Sequence, residues 1–141
     1  LISMASEAGY DFIIIDPRSQ FASETRFPNA KIHIEWPDEA LEKYSVNSND
    51  ALVTLSHDSK IDEAALGLAL RLPFYCISSL GSNRTNAKRI KRLQKAGFSE
   101  VELARINAPA GLNIGAKTPA EIAISILAQL IERKRTIKSA K

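Results

Sequence analysis

The sequence has a single cysteine and no long hydrophobic run, and each shortage excludes a class of protein. One cysteine, Cys76, cannot build a disulfide framework or a four-thiolate zinc site. No run of about 18 apolar residues is present to span a bilayer, and the first residues lack the basic start and apolar core of a signal peptide. We therefore expect a soluble protein of the reducing cytoplasm, with no membrane partner.

Charge is distributed unevenly along the chain. The 141 residues are 45% hydrophobic and 25% charged, which predicts one globular domain over residues 1–141. Up to Ser82 there are 6 Lys and Arg against 12 Asp and Glu, whereas the remainder has 13 against 4. Positive charge is thus gathered in the second half, which favours an anionic partner without naming it.

Short apolar runs alternate with helical patterns. The runs rich in β-branched residues and bounded by proline or polar residues predict buried strands over Asp11–Asp16, Ala51–Ser56 and Phe74–Ser78, with an edge strand over Lys31–Trp36. Helices are predicted after Pro37, over Ile61–Leu72 with Asp58 as N-cap, over Arg84–Ala96, from Ser99 through Ile106, and from Pro119 to about Lys134.

This order predicts an α/β fold, a Rossmann-like doubly wound and mainly parallel sheet with helices on both faces. The chain opens within a helical pattern, Leu1–Gly9, and lacks the first strand and Gly-rich turn of that fold. We therefore expect an N-terminally incomplete domain with an open slot at the centre of its sheet, which a swapped segment or a separate peptide could fill. The tail after about residue 135 is predicted to be flexible.

Three segments carry a family resemblance: Leu55–Asp62, Ser79–Thr85 and Pro109–Ile126. These segments resemble the C-terminal domain of the XdhC/CoxI family, the accessory factors of xanthine dehydrogenase and carbon monoxide dehydrogenase. Asp16–Ala30 also resembles a segment of that domain, so the resemblance covers nearly the whole chain. The resemblance implies a cytoplasmic factor that binds molybdenum cofactor and passes it to an apo-hydroxylase, with a cysteine desulfurase as a further partner. It implies no turnover chemistry, and we assign no catalytic residue and no metal ligand.

Two groups of acidic and basic residues follow the predicted strands. In a dinucleotide fold Asp16 would accept hydrogen bonds from ribose hydroxyls, or Arg18 would instead meet a 2′-phosphate. The alternative to ligand contact is an Asp-Pro turn beside a solvated arginine. His57, Asp58 and Asp62 lie where open α/β sheets bind ligands. Their alternative roles are an exposed loop histidine, a helix cap and a charge favouring the positive end of the helix.

Two glycine-containing turns complete the predicted binding site. Gly81, Ser82, Arg84 and Thr85 combine free backbone N–H groups, a helix start and side-chain donors suited to phosphate. The second turn is predicted to approach the same cleft through Gly111, Asn113, Gly115, Lys117 and Thr118, the last also as a helix cap.

The remaining predictions concern partners. The cations of the basic helix, Lys88, Arg89, Lys91, Arg92 and Lys95, have no aromatic residues among them, so a solvated or protein-docking face is favoured over nucleic acid. The apolar final helix predicts burial against the sheet or in a homodimer. Two other functions stay open: an NAD(P)-dependent oxidoreductase or other nucleotide-binding enzyme, and a nucleic-acid binder.

Overall fold

The computed structural model describes residues 1–139, and its elements alternate as the sequence predicts. The helices are α1 (Ile2–Glu7), α2 (Pro37–Leu41), α3 (Ser59–Ala69), α4 (Asn83–Lys95), α5 (Glu100–Leu103) and α6 (Pro119–Ser139). The strands are β1 (Ile13–Ile15), β2 (Lys31–His33), β3 (Ala51–Thr54), β4 (Cys76–Ser79) and β5 (Ile106–Asn107). None of these helices is long and apolar enough to cross a membrane.

The strands form two parallel sheets rather than one. β1 pairs with β2, and β4 lies between β3 and β5. No pairing joins β1 to β3 within the described residues. This is the strand order of a doubly wound sheet with an open slot at its centre, as expected for a Rossmann-like domain without its first strand. The predicted fold class is confirmed.

Helices cover both faces of the larger sheet. On one face the buried Ile77 of β4 packs with Leu66 of α3 and Leu93 of α4. On the other face Ser78 of β4 donates a 2.6 Å hydrogen bond to Oε1 of Gln129 in α6. Because adjacent strand residues point to opposite faces, α6 lies opposite α3 and α4. α1 packs against α6 and therefore shares its face.

Several predicted boundaries were wrong. The short helix from Ser99 ends at Leu103, not Ile106, because Ile106–Asn107 form β5 alongside Ile77–Ser78. Arg105 directs the chain there, since its guanidinium donates to the carbonyls of Leu70, Leu72 and Phe74. The edge strand predicted over Lys31–Trp36 ends at His33, because the chain must turn into α2, which begins at Pro37. β4 starts two residues later than predicted, at Cys76.

The final helix extends beyond its predicted end. It begins at Pro119 as expected, with a capping box in which Glu121 and Thr118 exchange side-chain and backbone hydrogen bonds. It continues past Lys134 to Ser139. The flexible tail predicted after residue 135 therefore begins as helix, and residues 140–141 lie outside the described residues.

We expect Leu66→Ala to lower the free energy of unfolding by about 2–5 kcal/mol. The side chain of Leu66, on α3, is fully buried in the core formed with α4 and the sheet. Denaturant-induced unfolding followed by circular dichroism measures the change. Val101→Ala is the control, since Val101 is 82% exposed and should change the value little. Equal effects of the two substitutions would contradict this placement of the core.

Candidate functional site

The ends of the parallel strands bring most of the predicted site residues to one edge of the domain. Asp16 follows β1, Ser56 to Asp58 follow β3, and Gly81 follows β4. The loop after β5 passes over the end of β4, where the N–H of Ala110 donates to the carbonyl of Ser79 at 3.0 Å. This carboxyl-end rim is where doubly wound sheets bind ligands.

Asp16 and Arg18 bind each other. The backbone N–H and Nε of Arg18 both donate to Oδ1 of Asp16 at 2.9 Å, and Nη2 donates to Oδ2 at 2.8 Å. These hydrogen bonds hold the pKa of the Asp16 carboxyl below its ordinary value despite its burial. Arg18 also stacks on Phe21, with its guanidinium carbon 4.4 Å from the ring centroid. The two groups predicted as separate ligand contacts thus form one neutralised pair.

A chain of hydrogen bonds continues from this pair to β4. Nη2 of Arg18 reaches the carbonyl of Ser56 at 3.5 Å, and Oγ of Ser56 donates to Oδ1 of Asp62 at 2.6 Å. Oδ2 of Asp62 lies 3.5 Å from Nη2 of Arg89, which also donates to the carbonyl of Leu80 at 3.1 Å. These hydrogen bonds therefore connect the ends of β1, β3 and β4. We call the residues involved the edge network: Asp16, Arg18, Ser56, Asp62 and Arg89.

Arg89 is the member whose position the sequence pattern does not reveal. Its charge predicts a place on the solvated basic face of α4, but it is 3% exposed and lies between α3 and α4. Its Nε and Nη1 are buried and have no hydrogen-bond partner among the described residues. Its position one turn before the buried Leu93 is the sequence signal for an inward face. Lys88, Lys91, Arg92 and Lys95 are exposed, as expected for that face.

The side chains of His57 and Asp58 do not join the network, although the backbone N–H of Asp58 donates to Oγ of Ser56 at 3.1 Å. His57 adopts a left-handed backbone conformation (φ 59°), and its exposed side chain makes no hydrogen bond within the described part of the chain. Oδ1 of Asp58 caps α3 by accepting from the N–H groups of Lys60 at 2.9 Å and Ile61 at 3.5 Å. Of the three residues predicted to line this part of the cleft, only Asp62 turns inward.

The turn after β4 presents a helix start with polar side chains. Oγ of Ser82 accepts from the N–H of Thr85 at 3.2 Å and lies 3.0 Å from Oγ1 of the same residue. Gly81 lies close to the guanidinium of Arg89, since a Cβ built on Gly81 would be 3.8 Å from Nη2 of Arg89. Arg84 is exposed and forms no ion pair among the described residues. This turn provides donors that are free to meet an anion.

The loop after β5 is anchored by its first glycine and exposed beyond it. Gly111 exchanges hydrogen bonds with the Gln129 side chain at 3.1 and 3.2 Å, and a Cβ on it would lie 2.2 Å from Oγ of Ser125. Gly111 is therefore a packing position. The predicted contacts that follow it, Asn113, Gly115, Lys117 and Thr118, are exposed, and their ligand roles stay predictions.

A hollow of about 200 Å³ lies away from this rim. Its lining residues cluster where the chain enters β4 and β5, at the amino ends of those strands: Phe74, Tyr75, Ile77, Ala104, Arg105, Asn107 and Arg133. The sequence does not predict this hollow, because its walls meet only through tertiary packing. Within residues 1–139 no three His, Cys, Asp or Glu side chains converge as metal ligands.

The fold and the polar rim define the class: a Rossmann-like domain with a polar edge at the carboxyl ends of its strands. Residues 1–130 match the model of the XdhC Rossmann domain, and the chain belongs to that family.

Curated relatives and a solved structure extend this match. The chain is 28% identical to a probable xanthine dehydrogenase subunit from Bacillus subtilis, over 97% of this chain and 40% of the relative. It is 30% identical to "Molybdenum cofactor insertion chaperone PaoD" of Escherichia coli, over 91% of this chain and 34% of the relative. A crystal structure described as a xanthine dehydrogenase from Bacillus halodurans matches with a TM-score of 0.79 and 30% identity, over 96% of this chain and 38% of that one. The chain thus spans less than half the length of these relatives.

The Asp16–Arg18 pair gives a pH-dependent prediction. Because the folded-state pKa of Asp16 is lowered, its stabilising effect is fully present above the unfolded-state pKa of about 4 and is lost as the pH falls through the folded-state value. Asp16→Asn should therefore destabilise the protein at neutral pH and progressively less below about pH 4. Urea unfolding across this pH range measures the difference. Asp11→Asn, at an exposed aspartate, is the control; a pH-independent effect of Asp16→Asn would contradict the ion pair.

The two glycines of the loop give a matched pair of substitutions. Gly115→Ala places a Cβ in open space at φ 74°, so we expect only the backbone cost of about 1–2 kcal/mol. Gly111→Ala, at φ 98°, adds the clash with Ser125 and with the backbone nitrogen of Ile126 at 3.1 Å. Thermal unfolding should therefore show a clearly larger loss for Gly111→Ala. Similar losses for both would mean that the loop does not pack on α6 in this way.

Proposed function

We propose that this domain belongs to a maturation factor that binds molybdenum cofactor, or a related nucleotide-containing ligand, and delivers it to a molybdenum hydroxylase such as xanthine dehydrogenase. The observation that carries this proposal is the concentration of hydrogen-bond donors at the turn between β4 and α4, among them the guanidinium of Arg84, which forms no ion pair within the described residues. The name of the Escherichia coli relative, a molybdenum cofactor insertion chaperone, supports it.

The donors of this turn suit the phosphate of such a cofactor. The first N–H groups of α4 lack helical partners, and the helix start adds partial positive charge. Ser82, Thr85 and Arg84 surround that start with hydroxyl and guanidinium donors. Beneath it, the buried Nε and Nη1 of Arg89, which have no partner among the described residues, give the region further unmet donor capacity. The residues present therefore fit an anionic, phosphate-bearing group.

Binding without turnover agrees with how the charged groups at the rim are used. Asp16 is neutralised by Arg18, Asp62 accepts from Ser56 and Arg89, and Asp58 caps a helix. His57 forms no ion pair with an acidic side chain that could orient it as a base within the described residues. The engagement of Asp16 also disfavours the NAD(P)-dependent alternative, because a ribose would have to compete with Arg18 for that carboxylate.

The partners follow from the same proposal. We infer contact with the apo-hydroxylase, with a cysteine desulfurase as a further partner, in the cytoplasm. Self-association would use α6, which buries Ala123, Ile126 and Leu130 but leaves Ile124 and Ile131 exposed by 50% and 40%. Such exposed apolar side chains on one helix suit a homodimer contact.

The test is binding of molybdopterin-type cofactor, NAD(P), FAD and ATP to the purified protein, each measured separately. We expect retention of the molybdenum cofactor and no hydride transfer. Arg84→Ala should weaken cofactor binding by about 1.5–3 kcal/mol if Arg84 makes a charged hydrogen bond to it. Lys95→Ala, at the opposite end of α4, is the matched control. Unchanged affinity would remove Arg84 from the site, and nicotinamide turnover would contradict the proposed function.

A further inference from the structure

Four polar side chains near the carboxyl end of β2 form a cluster that lies outside the edge network. His33 is the last residue of β2, and its carbonyl accepts from the N–H of Asp16 at 3.1 Å. Glu35 follows two residues later, and α2 then turns the chain so that Lys43 and Tyr44 return beside the strand. The cluster therefore lies next to the edge network and uses different side chains.

α2 holds Tyr44 in place by packing into the core. It buries Pro37, Ala40 and Leu41. Immediately after the helix, the N–H of Tyr44 donates to the carbonyl of Leu41 at 3.1 Å. The ring of Tyr44 meets the ring of His33 edge to face, with their centroids 5.4 Å apart and their planes at 84°. The fold thus positions the phenol against the imidazole.

The hydrogen bonds of the cluster run in one direction. Oε1 of Glu35 lies 2.8 Å from Nδ1 of His33, and its Oε2 accepts from Nζ of Lys43. Lys43 and His33 hold the pKa of Glu35 below its ordinary value, so this carboxylate is ionised and can only accept. In the neutral ring of His33, Nδ1 must then carry the proton, which leaves Nε2 to accept from the hydroxyl of Tyr44.

A hydroxyl, a base and a carboxylate that orients the base make up an activated nucleophile. The hydroxyl proton of Tyr44 can pass to Nε2 of His33 when the oxygen attacks an electrophile. The other two tyrosines of the chain have no such base. The hydroxyls of Tyr10 and Tyr75 lie 3.5 Å from each other, and neither bonds to an imidazole among the described residues. Burial raises the pKa of Tyr75.

The cluster is open to a reactant and has a cation beside the hydroxyl. The side chains of His33 and Glu35 remain 19% and 20% exposed, and Tyr44 is half-buried. Nζ of Lys31 lies 4.9 Å from the centroid of the Tyr44 ring, and Lys31 forms no ion pair within the described residues. Such a cation favours a phosphoryl group as the electrophile, because the phosphoryl oxygens carry negative charge.

We propose that Tyr44 is a phosphoryl-acceptor site, a tyrosine made nucleophilic by His33 and Glu35. Oη of Tyr44 forms a bond to the phosphorus of a phosphoric anhydride, and the bond from that phosphorus to the leaving phosphate oxygen breaks with its electron pair. The hydroxyl proton goes to Nε2 of His33, and Lys31 stabilises the phosphoryl oxygens. Glu35 is a positioning residue, since it directs Nε2 of His33 at the hydroxyl. This modification is separate from the cofactor binding proposed above.

The test is labelling of the chain with a fluorophosphonate ester, a phosphorus electrophile that reacts irreversibly and loses fluoride. Peptide mass spectrometry gives the labelling rate of each of the three tyrosines. Tyr10 and Tyr75 are half-buried, as Tyr44 is, and therefore serve as internal controls. We expect Tyr44 to react at least about tenfold faster than either of them, because only Tyr44 has a general base.

Two substitutions separate activation from a structural role. His33→Gln removes the base, and the isosteric Glu35→Gln removes the charge that orients it, so each should lower the labelling rate of Tyr44 to that of the controls. Glu42→Gln, at an exposed glutamate after α2, should leave the rate unchanged. A purely structural cluster predicts the opposite, since loss of the His33 contact would free the hydroxyl for reaction.

Circular dichroism shows whether each variant is folded, and Glu35→Gln alone decides the question if His33→Gln does not fold. Equal labelling of the three tyrosines in the unaltered chain, or no labelling of Tyr44, would overturn the proposal. Unchanged or faster labelling of Tyr44 in Glu35→Gln would overturn it as well.

Discussion

The burial of β4 between two parallel neighbours is the constraint on which the rest of the structure depends. Its backbone pairs with β3 on one side and β5 on the other, and all its residues are buried. Ile77 directs its side chain to α3 and α4, while Ser78 reaches Gln129 of α6. Because buried backbone groups must find partners, this strand fixes its two neighbouring strands, and its side chains position the helix layers on both faces. The rim where the strands end follows from it.

The rim combines neutralised charges with exposed donors. Asp16, Arg18, Asp62 and Arg89 are arranged in opposite-charge pairs, so they contribute rigidity and little net charge. The free positive character comes instead from the start of α4 and from Arg84 beside it. Such a division suits the proposed function, in which the paired groups position the turn and the exposed donors are available to an anion.

Features set by a few neighbouring residues were predicted from the sequence. The caps at Asp58, Ser99 and Thr118 were found because each depends on residues two to four positions away. The open slot was predicted as well, since the order of strands and helices already implies which strand occupies the centre of the sheet.

Features set by distant residues were not predicted. β5 has two residues and exists because Arg105 and β4 hold it in place. Arg89 carries a charge that normally indicates exposure, and only its contact with Asp62 across two helices explains its burial. The pairing of Asp16 with Arg18 depends on a turn geometry that neither residue type reveals alone.

The close approach of Gly111 to Ser125 limits how this sequence can change. Residues 111 and 125 share the space between the loop and α6, so a larger residue at either position requires a smaller one at the other. Position 111 also needs a residue that tolerates φ 98°. Divergent copies of this domain should therefore keep glycine at this loop position and vary the facing helix residue only among the smallest side chains.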